Sequence, residues 1–280
     1  MSTSVSCSLS TLRSVIHYSP SLVVIQKVII NYEEFFRWLL KAGMILSGDL
    51  LYQIDYYIMS KIINQSSIKN PLTVLKSWLQ EAIESELQPN PNSMALATVN
   101  SKGEPNVRML LCNEINIEQG YIVFFTNYNS VKGIEIKDNS KSSAVFHWDK
   151  LGYQVRIKGK IIQSPNEESD EYFASRPLGS QIGAWASNQS SPVKDRQALD
   201  HQFNETLDQF EIEDDSMSTI GKKIPRPSNW GGYHFWTDEV ELWKNRKDRL
   251  HDRLHFKRDL SIHDNRVEAT NNWIITRLQP

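Results

Sequence analysis

From Asn90 onward the chain is a succession of short apolar runs cut by turn residues, and this pattern restricts the fold more than any other feature. Met94 to Val99 and Val107 to Leu111 flank Asn100-Ser101-Lys102-Gly103, a turn-rich hairpin link. Tyr121 to Thr126, Ser143 to Trp148 and Tyr153 to Ile162 continue the series. A long polar helix over Pro192 to Ile212 interrupts it, and Tyr233 to Trp243, Leu254 to Arg258 and Trp273 to Leu278 close it. Short strands with few helices between them predict a barrel or sandwich, because parallel strands need a long, usually helical, crossover. No internal repeat, P-loop or GxGxxG fingerprint occurs, and Gly179 to Gly183 is too sparse for a nucleotide loop.

The first 70 residues read differently. Asn31 to Ile63 is helical in pattern, with Phe35, Phe36, Leu39, Leu40 and later Tyr52, Ile54, Tyr57, Ile58 at mixed three- and four-residue steps. Gly43, Ser47 and Gly48 mark a break between two helices. A sharper helix follows, with Pro71 at a first helical position and an apolar stripe of Leu72, Leu75, Trp78, Leu79 and Ile83. The expected organisation is a divergent extension over residues 1–69, partly helical or poorly ordered, and a β-rich domain over 70–280. Residues 1–32 lack Asp and Glu, are rich in Ser and carry Arg13 and Lys27. That composition fits an organellar transit peptide and equally a poorly ordered start, so the expectation is a cytoplasmic protein with mitochondrial targeting as the alternative. Leu22 to Ile30 is about half the length of a bilayer span and is broken by Gln26 and Lys27.

Charge and cysteine content narrow the function classes. A net charge of −2 over 280 residues gives no bias towards nucleic acid or an anionic membrane, and neither is expected as a partner. Cys7 and Cys112 form no disulfide framework and no metal-ligand spacing, so no metal is expected. Eight Trp suit a β-rich core or a flat ligand.

One stretch carries a candidate site. In Glu171 to Ser191, EYFASRPLGSQIGAWASNQSS, the residues Tyr172, Arg176 and Ser180 stand at successive four-residue steps. Such steps share a helix face, although Pro177 is expected to end the helix near Arg176. A phenol, a guanidinium and a hydroxyl near a helix end can grip an anion, and Arg can hold a phosphate through two parallel bonds. An exposed helix face is the plain alternative.

The same stretch resembles the signature of the pyridoxine/pyridoxamine 5′-phosphate oxidases. SMALATVNSKGEPNVRMLL, FFTNYNSVKG, YQVRIKG, PSNWGGY, ELW, RLHDR and the terminal RLQP also resemble that family's motifs and occur in its order, from about Asn70 to Pro280. The resemblance implies a mainly β fold with flanking helices, the FMN-binding split β-barrel, as a homodimer with FMN in the crevice between subunits. It implies cofactor contacts from Arg108, Phe125, Thr126, Lys132, Gln154, Gln189, Ser190, Trp243 and Arg253, the last two completing the site from the partner subunit. Tyr172, Arg176 and Ser180 would hold the phosphate of a vitamin B6 vitamer, while Arg249 and His251 of the RLH motif would approach its ring as catalytic residues. The implied reaction oxidises pyridoxine or pyridoxamine 5′-phosphate to pyridoxal 5′-phosphate and reduces dioxygen to hydrogen peroxide.

Three departures stand at anion-contacting or lid positions. Asn113 occupies the place of a substrate-phosphate lysine, a loss on the order of 1.5–3 kcal/mol where the site is partly desolvated. Val131 replaces an arginine that commonly supports the flavin phosphate, and no Arg-Glu-Tyr lid motif is found before Asn70. The alternatives are therefore a flavin-binding paralogue with another small aromatic substrate, or a catalytically silent dimer binding FMN or pyridoxal phosphate.

Overall fold

The computed structural model describes residues 68–212, 223–263 and 266–280. The helical reading of Asn31 to Ile63, the transit-peptide reading and Cys7 lie outside the described residues. Helix α1 (Pro71–Glu84) begins where the Asn70 side chain accepts the Leu72 N–H, with Pro71 in the first turn. Its buried face is Leu72, Val74, Leu75, Trp78 and Ala82. Ile83, expected on that face, is 46 % exposed. The stack of Trp78 on Tyr153, 4.4 Å between centroids, fixes the helix's rotation and turns the small Ala82 inward instead.

The sheet follows the expected series with one short addition. Strands β1 (Ser93–Val99), β2 (Pro105–Leu111), β3 (Glu114–Asn116), β4 (Tyr121–Asn127), β5 (Lys141–Trp148), β6 (Tyr153–Gln163), β7 (Trp230–Lys244) and β8 (Asp252–Lys257) precede a small β9 (Leu260–His263)/β10 (Arg266–Ala269) hairpin. Strand β11 (Ile274–Leu278) returns to the main sheet. Its order is β11-β8-β7-β6-β5-β1-β2, antiparallel, with β4 joining β7 and β3. β3, three residues long, was too short to show a period in the sequence. Helices α2 (Val131–Asp138), α3 (Asn166–Ser175), α4 (Leu178–Ala186) and α5 (Arg196–Gln209) fill the connections. α5 starts four residues later than the expected Pro192 because Asp195 caps it, its side chain accepting the Ala198 N–H.

β7 organises the molecule. One of its edges pairs with β6 from Tyr233 to Lys244. The other pairs with β4 from Trp230 to Trp236 and then with β8 from Glu239 to Lys244. The change of partner splits the sheet at Thr237 and Asp238, where β6 also shifts register between Lys158 and Gly159. Gly159 is required there, because a Cβ would lie 1.8 Å from the Trp236 carbonyl oxygen. Buried Arg258 seals the split: Nε donates to Thr237 O at 2.7 Å and Nη2 to Gly120 O at 2.8 Å, and its guanidinium lies over Trp273.

Two apolar clusters result. Met94, Leu96, Phe124, Phe146, Trp148, Val155, Phe235 and Leu242 pack with α1 and Ile68 in the barrel core. Phe173, Ile182, Leu207, Ile212, Ile224 and Trp230 form a second cluster beneath α3 to α5.

Candidate functional site

The first half of the site lies where β4 runs beside the start of β7. Thr126, near the end of β4, faces Gly231 across the ladder. Two residues past β4, at Asn129, the chain turns, and Ser130 caps α2 by accepting the Gly133 N–H. Lys132, in the first turn, is 6 % exposed. Its ammonium donates to Thr126 Oγ1, Ser130 Oγ and Gln189 Oε1, each at 3.1 Å. Thr126 Oγ1 also donates to Gln189 Oε1. All three acceptors are neutral oxygens, so a buried cation is hydrogen-bonded but not neutralised. Burial, and then the positive charge of Arg108, lower the Lys132 pKa to about 8. An anionic group would relieve both effects.

Arg108, on β2, is engaged within the chain. It donates to Leu96 O, Asn106 O and Thr98 Oγ1, and its Nη2 meets the buried carboxylate of Glu135 at 3.3 Å. Glu135 also accepts from Thr98 and Asn106. Arg108 is thus oriented by α2 near Lys132, and the Glu135 carboxylate pairs with Arg108 and not with the lysine. Ser190 follows Gln189 with φ 72°, a left-handed conformation uncommon for serine. Val131, at the exposed start of α2, leaves Lys132 as the cation of that turn.

The Tyr172–Arg176–Ser180 group forms across a helix break. α3 ends at Ser175, Arg176 is extended (φ −73°, ψ 149°), and α4 starts after Pro177. Pro177 thus ends the helix as expected; Tyr172 sits in the last turn of α3 and Ser180 in the first turn of α4. Buried Gln181 braces the break by donating to Arg176 O at 2.7 Å. α3 is tied to β7 and the segment before it by Ser169 accepting the Gly232 N–H, by Glu168 with His234 at 2.8 Å, and by Arg226 with Asp170 at 2.7 Å.

These ties place a phenol and a guanidinium on an aromatic stack. Tyr172 lies 3.8 Å from Phe125 at 13°, and Phe125 lies 5.7 Å from Trp230 at 11°. The Arg176 guanidinium sits 4.5 Å from the Trp230 centroid, burial lowers its pKa, and its Nη1 is buried with no hydrogen-bond partner. A fixed donor without an acceptor suits an incoming anion. Asn113 Nδ2 donates to Tyr172 Oη at 2.6 Å.

The remaining expected residues gather at the opposite end of β7. Gln154 faces Trp243 across the β6–β7 ladder, and Trp243 faces Arg253 across β7–β8. Arg253 donates to Glu241 at 2.8 Å and to Gln279 O at 2.9 Å; the Glu241 contact raises its pKa. Asp248 and exposed Arg249 both take positive φ, 59° and 61°, in the turn before His251. His251 lies 4.6 Å from the Trp243 ring, and its Nδ1 accepts the Arg246 N–H at 3.3 Å. That bond leaves Nε2 as the protonated nitrogen of the neutral ring.

One chain therefore does not bring the whole set together. Gly231, opposite Thr126, and Trp243 are twelve residues apart on one strand, about 40 Å of extended chain. Ser130, Glu135 and Trp230 were not singled out in the sequence. Ser130 carries a signal, a serine just before a helix, whereas the buried partnership of Glu135 with Arg108 and the stacking of Trp230 under Arg176 carry none.

A split antiparallel barrel with an uncompensated ammonium, an unpartnered guanidinium and an aromatic stack defines a small-molecule-binding protein of the split-barrel class. Comparison with known proteins narrows the class. The family model described as Pyridoxamine 5′-phosphate oxidase matches residues 79–210, and that described as Pyridoxine 5′-phosphate oxidase C-terminal dimerisation region matches residues 230–280. The chain is 42 % identical over 212 residues to a pyridoxine/pyridoxamine 5′-phosphate oxidase of Paraburkholderia phytofirmans, covering 76 % of this chain and 90 % of that one. It is 38 % identical over 224 residues to the enzyme of the same name from Cupriavidus pinatubonensis, covering 80 % and 95 %. The chain belongs to the pyridoxine/pyridoxamine 5′-phosphate oxidase family.

Among solved structures, PhzG from Burkholderia lata, in complex with tetrahydrophenazine-1-carboxylic acid, matches with TM-score 0.64 and 29 % identity, covering 76 % of this chain and 94 % of that one. A pyridoxamine 5′-phosphate oxidase-related, FMN binding protein from Nostoc punctiforme matches the fold with TM-score 0.55 and 16 % identity, covering 76 % and 99 %. Among the described residues no helix is long and apolar enough to cross a membrane.

Proposed function

We propose that the protein is an FMN-dependent oxidase that converts pyridoxine or pyridoxamine 5′-phosphate to pyridoxal 5′-phosphate. The observation that carries this reading is the pair of separate anion-ready cations, Lys132 and Arg176. Lys132 with Thr126, Ser130 and Gln189 suits the FMN phosphate, and Arg176 with Tyr172 and Ser180 suits the vitamer phosphate. Family membership supports FMN as cofactor.

Gln154, Trp243 and Arg253 lie too far along β7 to reach the Lys132 cradle in one chain, which supports a homodimer with sites shared between subunits. The match to the dimerisation region supports the same assembly. So does an exposed apolar stripe on edge strand β2, where Val107, Met109 and Leu111 alternate outward.

FMN, when bound, supplies a two-electron acceptor for the hydride from the substrate's C4′ carbon, and dioxygen then takes the electrons as hydrogen peroxide. The protein's part is positioning and charge. Arg176, Tyr172 and Ser180 hold the phosphate and so fix the ring's reach. His251 Nε2–H and Arg249 present donors to the ring substituents, with Trp243 packing against the imidazole. A second reading, a family oxidase for a planar carboxylate, is favoured by Asn113, which brings no charge to the substrate-anion group.

The test is absorbance of the purified protein. A yellow dimer bleached by pyridoxine 5′-phosphate without oxygen, recovering its colour and yielding peroxide when air is admitted, is the expected result. A yellow protein unmoved by both vitamers would overturn the vitamer assignment.

A further inference from the structure

Asn113 lies in the link from β2 to β3, its backbone N–H held by Val123 O at 2.8 Å. Its exposed side chain reaches 59 residues along the sequence to donate to Tyr172 Oη at 2.6 Å. This contact occupies an acceptor site of the phenol and leaves the phenol's own O–H to donate to a ligand. The tilt of that ring is already fixed by Phe125, 3.8 Å away, and Phe125 and Trp230 lie near parallel under Tyr172 and Arg176. The phenol and the guanidinium therefore form a rigid pair of donors, with Ser180 in the first turn of the next helix. Among Asn113, Tyr172, Arg176 and Ser180 only the guanidinium carries a charge. A phosphate monoester above its second pKa of about 6 carries nearly two negative charges, whereas a carboxylate carries one.

We infer that Asn113 is a specificity-determining residue: by fixing Tyr172 without adding a charge, it matches the anion subsite to a single negative charge, so that planar carboxylates compete there with phosphate esters. This rests on the reading above that Tyr172, Arg176 and Ser180 receive the substrate's anion. The second charge of a phosphate dianion finds no fixed cation in the set and gains only hydrogen bonds. A lysine at the same place would interact with each unit of ligand charge, so its effect on a dianion should be about the square of its effect on a monoanion.

The experiment is a binding titration on the flavin-loaded protein, read by flavin absorbance, with pyridoxal 5′-phosphate and phenazine-1-carboxylate as probes. At pH 7.5, Asn113→Lys should tighten the phosphate about tenfold and the carboxylate about threefold relative to the unaltered protein. At pH 5.5, where the phosphate is largely a monoanion, both gains should be about threefold. Comparing each ligand with itself cancels the difference between the rings. The unaltered protein should bind both probes, and Arg176→Ala should weaken both by more than about thirtyfold. If Arg176→Ala weakens both but Asn113→Lys changes neither, or changes both equally at pH 7.5, the charge-matching inference is overturned. If Arg176→Ala leaves both affinities intact, the anion-subsite reading itself fails, and the inference with it.

Discussion

The Arg176 guanidinium lies 4.5 Å from the centroid of the Trp230 ring with its Nη1 buried and without a hydrogen-bond partner. Trp230 opens β7 and Arg176 stands at the break between two helices, so the contact joins the sheet to the helical layer. Burial lowers the guanidinium's pKa, yet arginine remains charged throughout the physiological range. The indole face stands in for part of the lost hydration, and an anion can supply the rest.

Replacing Arg176 with alanine should weaken the vitamer phosphate by about 2–4 kcal/mol, because a dianion loses its bidentate partner. FMN affinity should change little, since Lys132 and its three oxygen partners form a separate cradle. Parallel titrations of substrate and flavin check this, and an equal loss of both would assign Arg176 to the fold instead.

The lowered pKa of Lys132 gives two pH dependences. In the flavin-free protein the lysine is charged in both folded and unfolded states below about pH 8, so its burial penalty is fully present there. Above about 8 the folded state releases the proton while the unfolded chain, near its ordinary 10.5, retains it. This residue's contribution to stability should then rise with pH up to that value. Lys132→Met should therefore raise the melting temperature of flavin-free protein at pH 7, with a gap that narrows above pH 8. Flavin affinity should run the other way, falling as pH rises through about 8, because the anion needs the ammonium. An affinity flat from pH 7 to 10 would remove Lys132 from the phosphate site.

Arg258 should prove a stability residue without effect on ligands. Its guanidinium satisfies the Thr237 and Gly120 carbonyls where β7 changes partner. Arg258→Met should cost about 2–4 kcal/mol in chemical denaturation by leaving buried acceptors unpaired. Gly120→Ala should also destabilise, since Gly120 has φ 87° and a Cβ there would lie 2.3 Å from the Arg258 guanidinium. If both variants unfold at the wild-type midpoint, the split is held by the strands alone.

A chain beginning at Gln65 should remain dimeric and bind FMN. It retains Ile68, which is buried in the barrel core, together with α1 and every family-matched residue. Sedimentation and flavin absorbance decide this, and a colourless monomer would show that the earlier residues complete the interface.

The local pattern determined the strands and their class. Alternating and short apolar runs between turn residues specify β1, β2 and β4 to β8 within a few residues, because side chains on a strand alternate between core and solvent. Pro177 likewise announced the end of α3, since its ring prevents the preceding residue from continuing a helix. The ordered motifs identified the family and the candidate residues on their own. Tertiary structure alone decided who shares a site with whom. Glu135 neutralising Arg108, Trp230 lying under Arg176 and Asn113 reaching Tyr172 are contacts between residues 27, 54 and 59 positions apart, set by strand register and helix packing. Local periodicity carries no information about such pairings. The length of β7 likewise placed Gly231, the cross-strand neighbour of Thr126, and Trp243 near opposite ends of one strand, a separation fixed by backbone geometry and one that a second subunit would close.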